Sequence, residues 1–207
     1  MTTVDRNSTT ELADSHPRRW AALFVMLGAA FMDLLDVTIV NIALPAVRDD
    51  LGASFASAQW VITAYTLAFG LGLITGGRLG DRYGRKQLFL SGVAVFTAAS
   101  LLCGLAQSPG MLIGSRALQG LAAAVMIPQI MATVYAIFPA GERAGASGAY
   151  GGVTGLAAVL GPVLGGVFVT YDVRGFSWFT IGGLVLVALV AQAMPRRVAG
   201  YAADASG

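Results

Sequence analysis

The stretch WAALFVMLGAAFMDLLDVTIVNIALP, residues 20–45, decides the fold of this chain. A helix needs about 20 apolar residues to cross a hydrocarbon core about 30 Å thick, and this stretch is long enough. Two acids interrupt it, Asp33 and Asp36. A charge at the centre of a membrane helix costs about 2.5–3.5 kcal/mol even on insertion scales, so acids there usually face a cavity and have a function.

The composition of the whole chain is that of an integral membrane protein. Of its 207 residues, 56% are hydrophobic and 12% are charged, and the mean hydropathy is +0.72. A soluble domain of this composition would lack the polar surface to cover itself. Because lipid offers the backbone no hydrogen-bond partners, the apolar runs are predicted to be helices, which gives an all-α transmembrane fold, a six-helix bundle. The six runs are residues 20–44, 58–76, 88–106, 111–138, 144–170 and 176–194.

Positive residues predict the orientation of the bundle. Most of the 13 Lys and Arg residues lie in the amino-terminal tail, in the second and fourth connections and at the carboxyl end. Cytoplasmic connections carry the excess of Lys and Arg, so both termini are predicted to be cytoplasmic in a multi-pass protein of the inner (plasma) membrane. The predicted parts are a tail over residues 1–19, a six-helix domain over 20–195 and a tail over 196–207. No basic stripe with interleaved aromatics is present, which excludes nucleic-acid binding.

Three ionisable residues lie well inside the predicted spans: Asp33 and Asp36 on the first and Arg116 on the fourth. At 1.5 Å per residue, Asp36 lies about 12 Å and Arg116 about 8 Å below the outer ends of their helices, so they are at similar depth. If the two helices are neighbours, each charge relieves the desolvation of the other, and protonating the acid releases their attraction. Asp33 shares a face with Asp36, so these acids are predicted to hold one proton between them. A static polar network that fixes helix packing is the alternative for all three.

The second connection, GGRLGDRYGRKQ (residues 76–87), is short and highly charged. Asp81 stands beside Arg82, where it is predicted to cap a helix end or to form an ion pair that holds one cytoplasmic conformation. The glycines are predicted to let helices two and three approach closely, and they are Gly77, Gly80 and Gly84. A plain positive-inside loop is the alternative for the positive residues, which include Arg82, Arg85 and Lys86.

The fifth span, AGASGAYGGVTGLAAVLGPVLGGVF (residues 144–168), is dense in small residues. Gly151 and Gly155, and again Gly161 and Gly165, have the spacing that lets helices approach closely in lipid. Pro162 is predicted to kink the helix. Close packing alone and a bending helix that seals against leaks are both open for this span. Spans three and six are almost purely apolar, which favours lipid contact and scaffolding.

These motifs resemble the amino-terminal half of major facilitator superfamily drug:proton antiporters, in particular the 14-spanner group of the EmrB and QacA type. The sequence LDVTIVNIALP, residues 35–45, resembles the first-helix signature, whose acid at the position of Asp36 is linked to proton coupling and cationic-drug binding. Arg116, with Gln119 and Gly120, resembles the fourth-helix motif, whose arginine is implicated in proton transfer. Asp33 is not part of the common motif.

Two further motifs extend the resemblance. Residues of the second connection resemble the superfamily signature associated with conformational switching, namely Gly77, Gly80, Asp81, Arg82, Gly84, Arg85 and Lys86. The fifth-helix motif typical of antiporters is resembled by Gly161, Pro162, Gly165 and Gly166. Ala157 departs from the glycine that is usual in that motif, and the segment around Trp178 lacks the usual Asn and Pro.

The resemblance implies a proton-coupled efflux transporter of amphipathic or cationic drugs or metabolites, working by drug:proton antiport. It implies no cofactor beyond the proton gradient as energy source, and no enzymatic activity. Each trio of spans begins with the span that bears the buried charge, which fits two inverted three-helix repeats. The expected partners are a small-molecule substrate and the bilayer, together with a second transporter half absent from this chain or a homodimeric copy. A truncated or partial protein is favoured; the alternatives are a non-transporting membrane fragment, a half-size dimerising protein and, within transport, a symporter.

Overall fold

Five long α-helices form the part of the protein that the computed structural model describes, residues 19–171 and Val185. They are α1 (Arg19–Asp50), α2 (Phe55–Tyr83), α3 (Arg85–Gly104), α4 (Pro109–Ile137) and α5 (Ala140–Tyr171). Each is long and apolar enough to cross a membrane. The all-helical prediction is therefore confirmed for these residues. The sixth predicted span, residues 176–194, lies outside them except for Val185, which is helical.

The helices are longer than the apolar runs that predict them. The first run ends at residue 44, yet α1 continues through Pro45 to Asp50 and is 32 residues long. At 1.5 Å per residue this is about 48 Å, well beyond a hydrocarbon core of about 30 Å. The hydropathy pattern marks only the part of the helix that crosses lipid, because its polar ends lie beyond the core.

The helix ends follow ordinary capping rules at the two connections opposite the amino terminus. Ser54 begins α2 by accepting a hydrogen bond from the backbone N–H of Ser57 at 3.1 Å. Ser108 begins α4 in the same way, with Pro109 in the first turn. Pro suits that position because its missing N–H would have no helical partner there. We call this end of the bundle the Asp50 end, and the opposite end, where α1 and α5 begin, the Arg19 end.

The second connection is a single residue, where the sequence suggested a longer loop. Tyr83 ends α2, Arg85 begins α3, and Gly84 between them has a φ of 90°. Side chains with a Cβ rarely adopt such a φ, so glycine is the residue that fits the turn. Gly84 therefore reverses the chain, and nothing lies within 4 Å of a Cβ placed on it.

The bundle is organised by two long helix pairs. α2 packs most extensively on α4, α1 packs on α5, and α3 covers the other side of α4. On α2, Gly76 faces the backbone of Ala124 and Gly80 faces the side chain of Gln129, both so closely that a Cβ would clash. The prediction that Gly77 and Gly80 bring helices two and three together is therefore wrong: Gly80 approaches α4, and Gly77 has nothing within 4 Å of its Cβ position.

The glycines of α5 divide into two groups. Gly161 packs on the Thr38 side chain of α1, and Gly165 lies one turn further along, 3.2 Å from Ile42 Cβ when given a Cβ. The close approach predicted for this pair is therefore present. Gly151, Gly155 and Gly166 instead have nothing within 4 Å of a Cβ position, so the first glycine pair makes no close helix contact among the described residues. Pro162 lies in the second half of α5, which continues to Tyr171, and its side chain is exposed.

Candidate functional site

A buried ion pair joins α1 to α4. Arg116 Nη1 donates a hydrogen bond to Asp36 Oδ2, and Gln119 Nε2 donates to Asp36 Oδ1 at 3.0 Å. Asp36 is 4% exposed and Arg116 is 2% exposed. Both carboxylate oxygens of the acid thus have a donor. The two charges that the sequence placed at similar depth are brought together by the fold.

Gln119 extends this pair to α3. Its Oε1 accepts from Arg116 Nη1 at 2.5 Å, and its Nε2 donates to Ser100 Oγ at 2.8 Å. The Cys103 thiol lies 3.7 Å from the same Oε1 and donates to it. The apolar sequence of span three favoured lipid contact and scaffolding over a polar role, and the structure differs, because α3 contributes the Ser100 hydroxyl and the Cys103 thiol to the network.

Tyr65 of α2 connects Asp33 with the ion pair. Its hydroxyl donates to Asp33 Oδ1 at 2.7 Å, and its ring lies under the Arg116 guanidinium, with 4.4 Å from Cζ to the ring centre. A guanidinium over an aromatic face is attracted by the ring quadrupole, and more strongly when both are desolvated. Asp33 and Asp36 thus have different donors, and a proton shared between them stays a prediction.

The sequence offered signals for some of these residues. Gln119 is three residues from Arg116, so the two share a helix face, and it is fully buried. Ser100 is a polar residue in an apolar span, and its hydroxyl needs a hydrogen-bond partner within the membrane. Tyr65 gave no comparable signal, since tyrosine is common in membrane helices and its position relative to α1 and α4 depends on how the helices pack.

The arrangement can respond to a proton. Two charges held away from water are stable only as long as they compensate each other. A proton on Asp36 removes its negative charge and leaves Arg116 with the Tyr65 ring and Gln119 Oε1 as partners. Protonation of Asp36 would therefore weaken the contact between α1 and the α2–α3–α4 group.

The predicted switch residues form a second polar cluster at the Arg19 end. Arg85 donates to the backbone oxygen of Ala132 on α4 and to Asp81 Oδ1 at 3.3 Å. Asp81 therefore pairs with Arg85, not with its neighbour Arg82. Arg82 instead lies over the Tyr83 ring, 5.5 Å from its centre. Lys86 is half-buried in the first turn of α3.

Gln129 is a member of this cluster that sequence reasoning missed. Its Nε2 donates to the backbone oxygen of Gly76 at 3.0 Å and of Val125 at 3.1 Å, and the residue is 1% exposed. A buried glutamine inside a helix must find partners for its amide. Here it joins α4 to α2 at the close contact between Gly80 and Gln129. Gln129 and Arg85 together therefore join α2 and α3 to α4.

A third contact closes the Arg19 end between α1 and α5. Arg19 donates two hydrogen bonds to Glu142, from Nε at 2.9 Å and from Nη2 at 2.5 Å. Beside them the Trp20 ring meets the Phe138 ring edge-on, with centres 5.1 Å apart. Both helices of this pair are therefore joined at their first turns.

The sequence profile described as Major Facilitator Superfamily matches residues 26–204. Among curated proteins, the chain is 52% identical over 166 residues to the probable actinorhodin transporter of Streptomyces coelicolor, covering 80% of this chain and 29% of that protein. It is 46% identical to the puromycin resistance protein pur8 of Streptomyces alboniger, covering 87% and 36%. It is 40% identical to the tetracenomycin C resistance and export protein of Streptomyces glaucescens, covering 84% and 32%. The chain thus spans about a third of the length of these relatives.

Solved structures share the fold at low sequence identity. A peptide transporter POT in complex with sulfate superposes with a TM-score of 0.77 and 20% identity, covering 91% of this chain and 40% of that chain. A bacterial homologue of the human lysosomal transporter Spinster, in an inward-facing and occupied conformation, gives 0.77 and 20%, covering 91% and 47%. These similarities concern the backbone arrangement.

Proposed function

Because the chain belongs to the Major Facilitator Superfamily, we propose that it is half of an exporter of amphipathic or cationic drugs or metabolites, driven by exchange for protons. The identity of 40–52% to proteins named for actinorhodin transport, puromycin resistance and tetracenomycin C export supports the export of such compounds. The observation that carries the proton part is the buried pair of Asp36 and Arg116. An enclosed acid whose main partner is a fixed positive charge is suited to a two-state proton switch.

In the proposed mechanism, the ion pair holds the α1–α5 pair against α4. A proton on Asp36 cancels its attraction to Arg116, and α1, together with α5, becomes free to shift relative to the α2–α3–α4 group. Proton binding can drive such a shift only if the acid has a higher proton affinity in one state than in the other. The cluster of Arg85, Asp81 and Gln129 would stabilise one of these states from the Arg19 end.

We further propose six helices in two inverted repeats for the whole half. In such a repeat, helix one corresponds to helix four and helix two to helix five. The α1–α5 pair of the structure then corresponds to the α4–α2 pair. These are the two long pairs of the described bundle. The correspondence supports the repeat, with residues 176–194 as the counterpart of α3.

The rest of the assembly is also a proposal. The curated relatives are about three times as long as the matched part, which supports a second half as the partner that completes the transport path, with a homodimer as the alternative. The distribution of Lys and Arg supports cytoplasmic termini in the bacterial inner membrane. In that orientation the Arg19 end is cytoplasmic and the Asp50 end faces outward.

The test is proton-driven efflux in inverted membrane vesicles, with ethidium as a fluorescent amphipathic cation. The assembled transporter is compared with Asp36→Asn and with Asp49→Asn, which makes the same chemical change on the exposed last turn of α1. We expect Asp36→Asn to abolish proton-driven accumulation and Asp49→Asn to retain it.

Three results would contradict the proposal. Unchanged accumulation in Asp36→Asn, at equal protein level, would remove the acid from the coupling step. Ethidium movement in the same direction as the proton would make the protein a symporter. Failure of the chain to move any substrate, alone or with its second half, would favour the non-transporting fragment.

A further inference from the structure

A cavity runs from the Asp50 end of the bundle to the buried ion pair. We call it the outer cavity; it lies mainly between α1, α3 and α4, with Val61 of α2 and Val169 of α5 also in its wall, and its volume is about 80 Å³. Val47 lies in its wall near the Asp50 end, Asp36 and Arg116 lie at its deep end, and Cys103 of α3 also lines it. Its walls are otherwise mostly apolar side chains of α1.

The volume of the outer cavity limits which molecules it can hold. A water molecule needs about 10–15 Å³ of such volume, so several waters fit. Pockets for drug-sized ligands measure about 300–1,000 Å³, several times more. The outer cavity therefore suits water and small ions, and it is too small for the exported compound.

The opposite direction is closed. On the Arg19 side of the pair, α1, α3 and α4 meet in a cluster of side chains that are 0–2% exposed, including Ala29, Ala30, Phe96, Ala123 and Met126. Close-packed protein interiors hold few voids as large as a water molecule, so this cluster separates the pair from the Arg19 end. Asp36 and Arg116 are also enclosed on the remaining sides by this chain alone, since their exposures of 4% and 2% are measured without a second half. The outer cavity is thus the open side of the ion pair.

The polar groups at the deep end call for a solvent partner. Arg116 Nε is buried and has no hydrogen-bond acceptor among the described residues. Buried donors without a protein partner are usually satisfied by ordered water. Arg116 lines the cavity together with Ser100 and Cys103, so water there has several polar neighbours.

We propose that the outer cavity is a hydrated access route for protons, inside this half of the transporter and separate from the path of the exported compound. The inference rests on the proton coupling proposed above. Water in the cavity carries a hydronium ion to the pair; its proton passes to a carboxylate oxygen of Asp36 and a neutral water remains, while Arg116 keeps its charge. The proton would then reach Asp36 from the Asp50 end, by a route different from that of the drug.

Cys103 makes the proposal testable on the unmodified chain. It is the single cysteine of the 207 residues, and its side chain lines the outer cavity. Ag⁺ is a small thiol-binding cation that does not cross lipid, so Ag⁺ added to one side of a vesicle reports aqueous access from that side. After a timed exposure in nitrate buffer, the thiol that remains free is counted with a maleimide in denaturing detergent.

We expect Ag⁺ to reach Cys103 from the Asp50 side and not from the Arg19 side, and we expect a bulky maleimide to reach it from neither. Cys103→Ala sets the background. Val47→Phe, which places a ring in the cavity wall, should slow the Ag⁺ reaction about tenfold or more, which corresponds to about 1.4 kcal/mol of added barrier. Leu102→Phe is the matched control, because Leu102 is 39% exposed and does not line the cavity.

The proposal would be overturned if Ag⁺ did not react with Cys103 from the Asp50 side while the thiol reacted fully after denaturation. Equal access of Ag⁺ from the Arg19 side, or equal Ag⁺ reaction rates in the two Phe variants, would also overturn it. These outcomes are independent of transport. A closed cavity with intact proton-driven efflux overturns the access route and leaves the proposed function standing. An open cavity with no proton-driven efflux overturns the proposed function instead.

Discussion

The two ends of the bundle differ in how they are filled, and the ion pair lies at the boundary between them. Towards the Arg19 end, side chains from all five helices form one continuous buried cluster. Towards the Asp50 end, a smaller cluster around Val61, Ala106 and Leu112 stands beside the outer cavity. A charged pair is expensive wherever water is excluded. Its position at the boundary lets the packed end fix its geometry, while the other end offers the access route that we propose for the proton.

The largest effect is expected from removing one member of the pair. Arg116→Met leaves Asp36 buried without a counter-charge, which should destabilise the protein by about 3–5 kcal/mol. Asp36→Leu should be similarly costly. The double variant should recover most of the loss, because no uncompensated charge remains. Thermal unfolding in detergent measures all three, with Arg82→Met as a control arginine on the exposed surface of α2.

A strictly additive loss in the double variant would contradict this account. It would mean that the two side chains act separately, through packing, and that the boundary between the two ends does not depend on their charges. A coupling of a few kcal/mol is the expected result, since residues in one network are typically non-additive.

An intermediate effect is expected from enlarging an alanine on each side of the boundary. Ala123 is 0% exposed in the packed cluster, so Ala123→Leu should cost about 1–3 kcal/mol by overpacking. Ala43 lines the outer cavity, so the matched Ala43→Leu has room for the added carbons and should be near neutral in the same unfolding assay. Equal destabilisation by the two variants would mean that the two ends do not differ in how tightly they are packed.

Much of this organisation could be predicted from the sequence, because it depends on spacing within one helix. The depths of Asp36 and Arg116 follow from the rise per residue. The spacing of Gly161 and Gly165 predicts that α5 makes a close helix contact at these residues, although it does not identify α1 as the partner. Five of the six predicted spans correspond to the five described helices. They could be predicted because a long run of high hydropathy marks a membrane-spanning segment.

The remainder depends on which helices meet and at what rotation, and no single-helix pattern contains that information. Gly77 and Gly80 are equivalent in the sequence, yet only Gly80 faces α4. Tyr65 reaches Asp33 and Arg116 because three helices converge on it. The outer cavity is the space between the helices that their side chains do not fill. It can therefore be found only when the positions of all the surrounding helices are known.

The smallest effect is expected at the surface of the packed end, from the ion pair between Arg19 and Glu142. Their side chains are 19% and 36% exposed, so solvent screens the interaction, and exposed pairs contribute about 0.2–1 kcal/mol. A double-mutant cycle with Arg19→Gln and Glu142→Gln should give a coupling in this range that fades at high salt. Arg78→Gln, on the exposed end of α2, controls for lost charge.

The size of this coupling decides what keeps the Arg19 end closed. A small value means that the buried cluster closes this end by packing, so that α1 and α5 can separate slightly at their first turns without admitting water to Asp36. A coupling well above 1 kcal/mol would mean that the clamp of Arg19 and Glu142 holds the helices together. The difference between the two ends would then lie in a surface contact that salt can weaken, and proton access to Asp36 from the Arg19 side should rise with ionic strength.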